Sequence, residues 1–358
     1  MRRLAIPLII ITTIITLLNW FIYSMATLSY STPPMWLGVT IAVGAVFMPG
    51  SLMLSMTSLR ERLRYVILAG YIWMGVFFIA FFFAFIQMMI SLLPLEIHSS
   101  WMLWATLVIS IWSLRINILG PQIVNHKLKG PDFLRGLRVL QISDLHVGMP
   151  NLRQTWLQTV VDRIKTAAPD LVMITGDLVD APFDETSPLL DPLSQITAPK
   201  FYVTGNHEYI RGGDWEARLH NLGFHVLHNS HEVIERNSEK LLIAGVPDQR
   251  VNGFRTNLES NPDKALKTSE NVGYKILLAH EPSSVFDLTV EKCDLLLSGH
   301  THGGQIFPFG IFVRMQQPVV SGFKKINGIN VFAHQGTGFW GPPMRWFTRC
   351  EIVVFEFI

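Results

Sequence analysis

The sequence predicts a chain in two parts, a bundle of apolar helices that lies in lipid and an α/β domain that lies in water. Three observations carry this. Only 16% of the 358 residues are charged, where a soluble domain usually carries about 25%. The charge is also divided unevenly. Residues 1–125 hold six basic side chains (Arg2, Arg3, Arg60, Arg62, Arg64 and Arg115) and two acidic ones (Glu61 and Glu96), so of the 29 basic and 27 acidic residues in the chain, 23 and 25 fall in 126–358. The third observation is a change of pattern: four long apolar runs precede residue 120, and short apolar runs ending in polar clusters follow residue 136.

The first apolar run, 5–28, contains no charge, and about 20 apolar residues cross a bilayer. Met1-Arg2-Arg3 ahead of it and the Ser-Met-Ala at 24–26 also fit a signal peptide, but the run is long and further spans follow it. The other expected spans are 35–58, 65–93 and 101–119, the third long enough to tilt and the fourth carrying Arg115 near one end, where it can reach the headgroups. Basic loops stay on the cytoplasmic side. The basic N-terminus, the "RERLR" stretch and the basic residues after 114 then place both ends in the cytoplasm, in a multi-pass protein of the cell inner (cytoplasmic) membrane. Asn19 and Gln87 are the main polar groups at membrane depth. That is sparse for a transport pathway, so the spans read as an anchor.

Residues 120–136, with Gly120, Pro121, Gly130 and Pro131, read as a linker, and 137–358 as the water-phase domain. "LRVLQIS" (137–143), "DLVMIT" (170–175) and "KFYVT" (200–204) read as strands, with a helix over 152–168 between the first two. "KLLIAGV", "YKILLAH", "CDLLLSG" and "GINVFAH" continue the pattern. Continuous short apolar runs suit strands covered on both faces. The polar half is slightly acidic and gives no basis for nucleic-acid binding. Cys293 and Cys350 sit in no metal-binding or redox spacing.

The strand ends carry the chemistry. They supply Asp144 and His146, Asp177, Asn206 and His207, His280, then His300 and His302. In α/β sheets, sites form at the carboxyl ends of strands, so folding into one sheet would bring these groups to one edge. Carboxylates, an amide oxygen and imidazoles, with no thiolate, suit Mn, Fe or Zn. The set exceeds one tetrahedral site, and an aspartate can bridge a pair of ions of the kind that clamps a phosphoryl displacement. Taken singly, "DLH" and "GDLVD" are common in turns; "GNHEY" and "GHTHGG" are more telling, and the ordered set is hard to produce by chance. Asp180 and Glu208 read as residues that orient ligands. His220, His225, His228 and His231 form no ligand spacing.

The order D-x-H, G-D-x-x-D, G-N-H-E, a later His and G-H-T-H resembles the calcineurin-like metallophosphoesterase family over about residues 122–358. The resemblance implies a four-layer sandwich, two β-sheets flanked by helices. It implies two divalent metal ions, one held by Asp144, His146 and His302, the other by Asn206, His280 and His300, with Asp177 bridging them. It implies that His207 meets the phosphate or protonates the leaving oxygen. "GLRVLQISDLHVG", "IAGVPDQ", "LLAHEP", "GHTHGGQ" and "GTGFWGPPMR" resemble a bacterial membrane-associated branch, which includes enzymes that cleave lipid phosphoesters and pyrophosphates such as UDP-2,3-diacylglucosamine. The expected substrate is therefore a phospholipid or lipid-linked phosphate. Gly303 and Gly304 are expected to leave room for its phosphate, Arg345 to meet it, and the aromatic stretch 338–347 to form a lip. Action on a soluble substrate, a cyclic nucleotide or a phosphoprotein, or a non-enzymatic membrane sensor or transporter with a regulatory metal domain, are the alternative functions.

Overall fold

The computed structural model describes residues 2–250 and 259–358, with the side chains of 2–11 and 117 excepted. Two compact units result. One comprises residues 1–118 with Gly341–Trp346, the other residues 119–340 with Phe347–Ile358.

The first unit contains α1 (Arg2–Ala26), α2 (Met35–Ser55), α3 (Arg64–Ser91) and α4 (Ser100–Leu114), followed by the short α5 (Ile116–Leu119). Among the described residues two helices, α2 and α3, are long and apolar enough to cross a membrane, where the sequence reading expected four spans. At 28 residues, α3 runs about 42 Å, beyond the ~30 Å of a hydrocarbon core. The expected span at 101–119 is interrupted. Helix α4 has 15 residues, about 22 Å. It ends where the Arg115 guanidinium folds back over the Trp112 ring, 3.3 Å from its centroid. In α1 the described apolar stretch is Thr12–Ala26, and part of the expected 5–28 run lies outside the described side chains.

Small residues let these helices approach closely, as in membrane bundles generally. A Cβ on Gly44 would fall 2.0 Å from Trp73, and one on Gly70 would fall 1.9 Å from Ser51 Oγ. Gln87, the polar group noted at depth, accepts a hydrogen bond from the Trp101 indole N–H. The hexapeptide Gly341–Trp346 is part of this unit. Trp346 lies 5.4 Å from the Phe82 ring and 5.7 Å from the Phe83 ring. Met344 Sδ occupies the space a Cβ on Gly75 would need.

The second unit holds β1 (Gln122–Leu128), β2 (Arg138–Ile142), α6 (Gln154–Ala167), β3 (Leu171–Thr175), α7 (Phe183–Thr186), β4 (Lys200–Val203), α8 (Asn206–Arg211), α9 (Trp215–Asn221), β5 (Phe224–Val226), β6 (Ser230–Arg236) and β7 (Glu239–Gly245). It continues with α10 (Pro262–Leu266), β8 (Tyr274–Leu278), β9 (Leu295–Ser298), α11 (Gly310–Gln316), β10 (Gly322–Ile326), β11 (Ile329–Ala333) and β12 (Glu351–Phe357). Two six-stranded mixed sheets form, ordered β1-β12-β2-β3-β4-β5 and β10-β11-β9-β8-β7-β6. Strands β2 to β5 run parallel, as do β7, β8, β9 and β11. The stretch expected as a linker therefore contributes a strand: β1 pairs in parallel with β12. As a largely exposed edge strand, "QIVNHKL" lacks the apolar run that marked the others.

Alternation along the strands explains the layering, because successive side chains point to opposite faces. Val139, Met173, Phe201 and Val203 of the first sheet meet Leu241, Ile243, Ile276, Leu278 and Leu297 of the second. Leu140, Ile142, Val172 and Ile174 point the other way, onto Leu157, Val160, Val161 and Ile164 of α6. Leu242, Ala244, Leu277 and Leu296 turn outward under Ala265 and Leu266 of α10. Helix α6 buries residues spaced by three and four, the stripe of an amphipathic helix. It stops at Ala168, whose φ of 44° is left-handed.

Truncating Leu297, fully buried between the sheets, to Ala should cost about 2–5 kcal/mol, whereas Val290→Ala at the surface should change stability by no more than about 0.5 kcal/mol. Denaturant unfolding of the full chain, followed by tryptophan emission, measures both.

Candidate metal centre

Asp144 and His146 follow β2, Asp177 follows β3, and Asn206 and His207 open α8 after β4; His280 follows β8, and His300 and His302 follow β9. Parallel strands point their carboxyl ends one way, so the loops collect at one lip. The ligand set is divided between both sheets rather than gathered from one, as the sequence reading had it. A single edge would spread five loops over the ~5 Å spacing of successive strands; two facing sheets bring them within reach of one point.

The backbone there is strained. Asp144, His146, Asp177, His300 and His302 have φ of 53°, 49°, 50°, 66° and 49°, a region that costs a non-glycine residue about 1–3 kcal/mol and concentrates at functional sites. Buried hydrogen bonds hold it. The Asp144 carboxylate accepts from His300 N–H at 3.1 Å, and Asp177 Oδ1 accepts from His207 N–H at 2.9 Å. The Glu208 carboxylate accepts from Leu178 N–H and Gly205 N–H, both at 2.7 Å, and from Asp177 N–H at 3.2 Å. Glu208 thus ties the Asp177 loop to the start of α8.

Three groups of side chains converge, each with its ligating atoms within 4.8 Å of one another: Asp144, His146 and His302; His146, Asp177 and His207; Asp177, His280 and His300. Asp177 Oδ2 lies 3.2 Å from His280 Nε2 and 4.0 Å from His146 Nε2, between the outer two groups. His146 Nε2 faces His302 Nε2 at 3.1 Å, and His280 Nε2 faces His300 Nδ1 at 3.2 Å. His280 Nδ1 donates to the Thr175 carbonyl at 2.7 Å, which turns its Nε2 inward to Asp177; burial opposes its charge, but the Asp177 carboxylate holds its pKa well above the usual imidazole value. The Asn206 side-chain oxygen is buried and has no hydrogen-bond partner.

These features fit divalent cations. Burial drives the His146 pKa down to about 3 and that of His300 to about 4, leaving neutral imidazoles, the form that binds metal. Burial opposes ionisation of Asp177, but His280 and His207 outweigh it and hold its carboxyl well below the usual range. Facing ring nitrogens, an ionised carboxylate between them and an orphaned amide oxygen are what a pair of cations would satisfy. His207 differs. Burial opposes its charge, yet Asp177 and the hydrogen-bonded Asp180 raise its pKa to about 9. Asp180 Oδ1 accepts from His207 Nδ1 at 3.0 Å, its other oxygen lies 3.8 Å from His146 Nδ1, and Arg211 Nε donates to it at 3.0 Å.

Three expected substrate contacts are placed differently. Arg345 is 1% exposed and lies in the hexapeptide that belongs to the helical unit, its backbone N–H bonded to the Ser113 carbonyl; a guanidinium so buried offers nothing to a substrate. The space beside Gly304 is filled by its own chain, since a Cβ there would meet Gly310 Cα at 2.3 Å. Gly303 has φ of 64°, and a Cβ there would fall 3.1 Å from Gln335 and 3.2 Å from Thr348. Both positions require glycine for chain packing.

Two site residues were missed. The buried carboxylate of Glu281 lies 4.0 Å from His300 Nε2, the nitrogen turned away from His280. It accepts from Arg250 Nε at 2.8 Å, and Arg250 also approaches His300 Nε2 at 3.2 Å. The available signals were the acidic neighbour in "HEP" and the position of Arg250 beyond β7, at the same lip.

Gly205 packs against the shared carboxylate: a Cβ there would fall 2.2 Å from Asp177 Oδ1. Gly205→Ala should leave the circular dichroism spectrum unchanged and lower Mn2+ binding by about 10–100-fold, as read by equilibrium dialysis.

The calcineurin-like phosphoesterase family profile matches residues 137–304. A Danio rerio protein named "Transmembrane protein with metallophosphoesterase domain" is 33% identical over 261 residues, covering 69% of this chain and 60% of that protein. An uncharacterized metallophosphoesterase from Campylobacter jejuni is 33% identical over 241 residues, covering 65% and 62%. One from Aquifex aeolicus is 32% identical over 223 residues, covering 61% of this chain and 84% of that protein. The chain thus spans about three-fifths of the length of the first two relatives and most of the third. With the complete set of motifs at one lip, it belongs to the calcineurin-like phosphoesterase family.

Proposed function

We propose that the chain is a membrane-anchored phosphoesterase that hydrolyses a phosphodiester or pyrophosphate bond in a lipid-linked substrate. The observation that carries the reading is the pair of three-donor groups Asp144/His146/His302 and Asp177/His280/His300, with Asp177 also within reach of His146. Asp144, His146 and His302 would hold one divalent ion, Asn206, His280 and His300 the other, and Asp177 both; Mn, Zn and Fe suit these donors. When bound, such a pair supplies an activated water at neutral pH and neutralises charge on the phosphoryl oxygens.

The chain's own residues do the rest. His207, held cationic by Asp177 and Asp180, has a proton to give. Asp180 fixes its Nδ1, which leaves Nε2 toward the cluster, 3.9 Å from Asp177 Oδ2. This suits protonation of a leaving oxygen. Arg211 pins Asp180 in turn. The lipid-linked substrate is supported by the apolar helices α2 and α3, which would confine the domain to the surface where such substrates lie. The basic loops support a cytoplasmic orientation in an inner membrane.

Chelation should abolish hydrolysis of an aryl phosphodiester, and added Mn2+ should restore it. Asp177→Asn should remove activity even with metal in excess; wild type inactive on every phosphoester when metal-replete would refute the reading. His207→Ala should slow substrates with alkyl leaving groups by about 10²–10⁴-fold and aryl ones much less, because a good leaving group needs no proton. Rates on micellar lipid phosphoesters against soluble diesters test the substrate class: equal rates would exclude the lipid preference.

A further inference from the structure

The two-sheet unit exposes large apolar side chains beside its metal-site lip. Helix α11 buries none of its residues. Phe309, Ile311, Phe312 and Met315 are all open to solvent, Met315 at 80%. Phe347, 74% exposed, meets the Phe307 ring edge-on at 5.6 Å. Trp340, also exposed, lies 6.2 Å from the His207 ring, with its backbone N–H and C=O both bonded to the Gln305 side chain. The surface is built, not frayed. Gly310 packs onto Gly304, and beyond α11 the buried Gln317 donates to Glu281. Soluble domains rarely leave such a contiguous apolar patch open without a partner for it.

Charge and chain path indicate which partner. From Gly303 to Cys350 there is no acidic residue, while Arg314, Lys324, Lys325, Arg345 and Arg349 are basic; of these, Arg314, Lys324, Lys325 and Arg349 are exposed, Arg349 in an ion pair with Glu351. The water-phase half as a whole holds 25 acidic residues against 23 basic, so this acid-free stretch stands apart. Exposed apolar side chains and exposed basic ones carried on one acid-free stretch match an anionic bilayer interface: the apolar groups enter the acyl boundary and the cations meet headgroups. Trp340 and Phe347 also bracket Gly341–Trp346, the hexapeptide that belongs to the unit of apolar helices.

We propose that the surface of α11, with Trp340 and Phe347, inserts into the interface of an anionic lipid bilayer and holds the histidine cluster at headgroup depth. This rests on the reading that α2 and α3 lie in that bilayer. It places the reacting phosphorus where a phospholipid carries it.

The test uses the full chain reconstituted in phosphatidylcholine vesicles with and without phosphatidylglycerol. Spin labels at Phe312→Cys and Met315→Cys should be reached by oxygen and shielded from a water-soluble nickel complex. A label at Val290→Cys, on the exposed surface before β9, should show the reverse. Nickel access at 312 and 315 would overturn the proposal, and so would a label shielded from both relaxants, which would mean a protein partner or a second copy. In parallel, Phe309→Ser, Phe312→Ser and Met315→Ser combined should lower the rate on vesicle-borne lipid phosphoester by about tenfold or more and leave a soluble aryl diester unchanged. An equal fall on both substrates would also overturn it. Were the chain inactive on every phosphoester, the labels would still report insertion, so the enzymatic reading and this one fail separately.

Discussion

The shared carboxylate of Asp177 organises the site. It stands between two histidine groups, within 4.0 Å of His146 on one side and 3.2 Å of His280 on the other. Its position is costly: it is buried, ionised and on a left-handed backbone. Such a residue persists only where its surroundings over-determine it. The surroundings here are Glu208, which ties three backbone N–H groups around it, and Gly205, which has no Cβ to push it away. The "GNHE" motif therefore does more than supply Asn206 and His207. Its glycine and glutamate hold the neighbouring loop in place.

The two-sheet architecture follows from a similar constraint. Five loops must reach one small volume, and strands within a sheet are too widely spaced to allow it. Placing β2, β3 and β4 in one sheet and β8 and β9 in the other, with a common apolar layer between them, lets ligands enter from two sides. The hydrogen bonds His300 N–H to Asp144 and His280 Nδ1–H to the Thr175 carbonyl cross from one sheet's loops to the other's. Site assembly and sheet packing are thus coupled, and a shift between the sheets would separate the donors.

Much of this was legible in the sequence. The strands were, because each buried strand is a short apolar run; the loops were, because Asp, Asn and His after such runs have no packing role. Strand β1 was not, because an edge strand facing solvent has ordinary polar composition. Arg345 was expected at the substrate because its aromatic stretch follows the last motif strands, and sequence position says nothing about where a side chain points; Arg345 is buried. Four spans were expected from hydropathy, which cannot see that the helix stops at Leu114, where the Arg115 guanidinium returns to Trp112.

By itself the sequence determined the division into an apolar helical part and an α/β part, the family, and the candidate donors. These depend on residue type and order, which local chemistry reads directly. Only the tertiary structure decided that the donors come from two sheets, that Asp177 lies between two clusters, and that Glu281 and Arg250 stand beside His300. It also decided that α11 leaves its apolar side chains uncovered. Each of these concerns residues far apart in the chain, and their distances are set by how apolar faces pack, which no local pattern encodes.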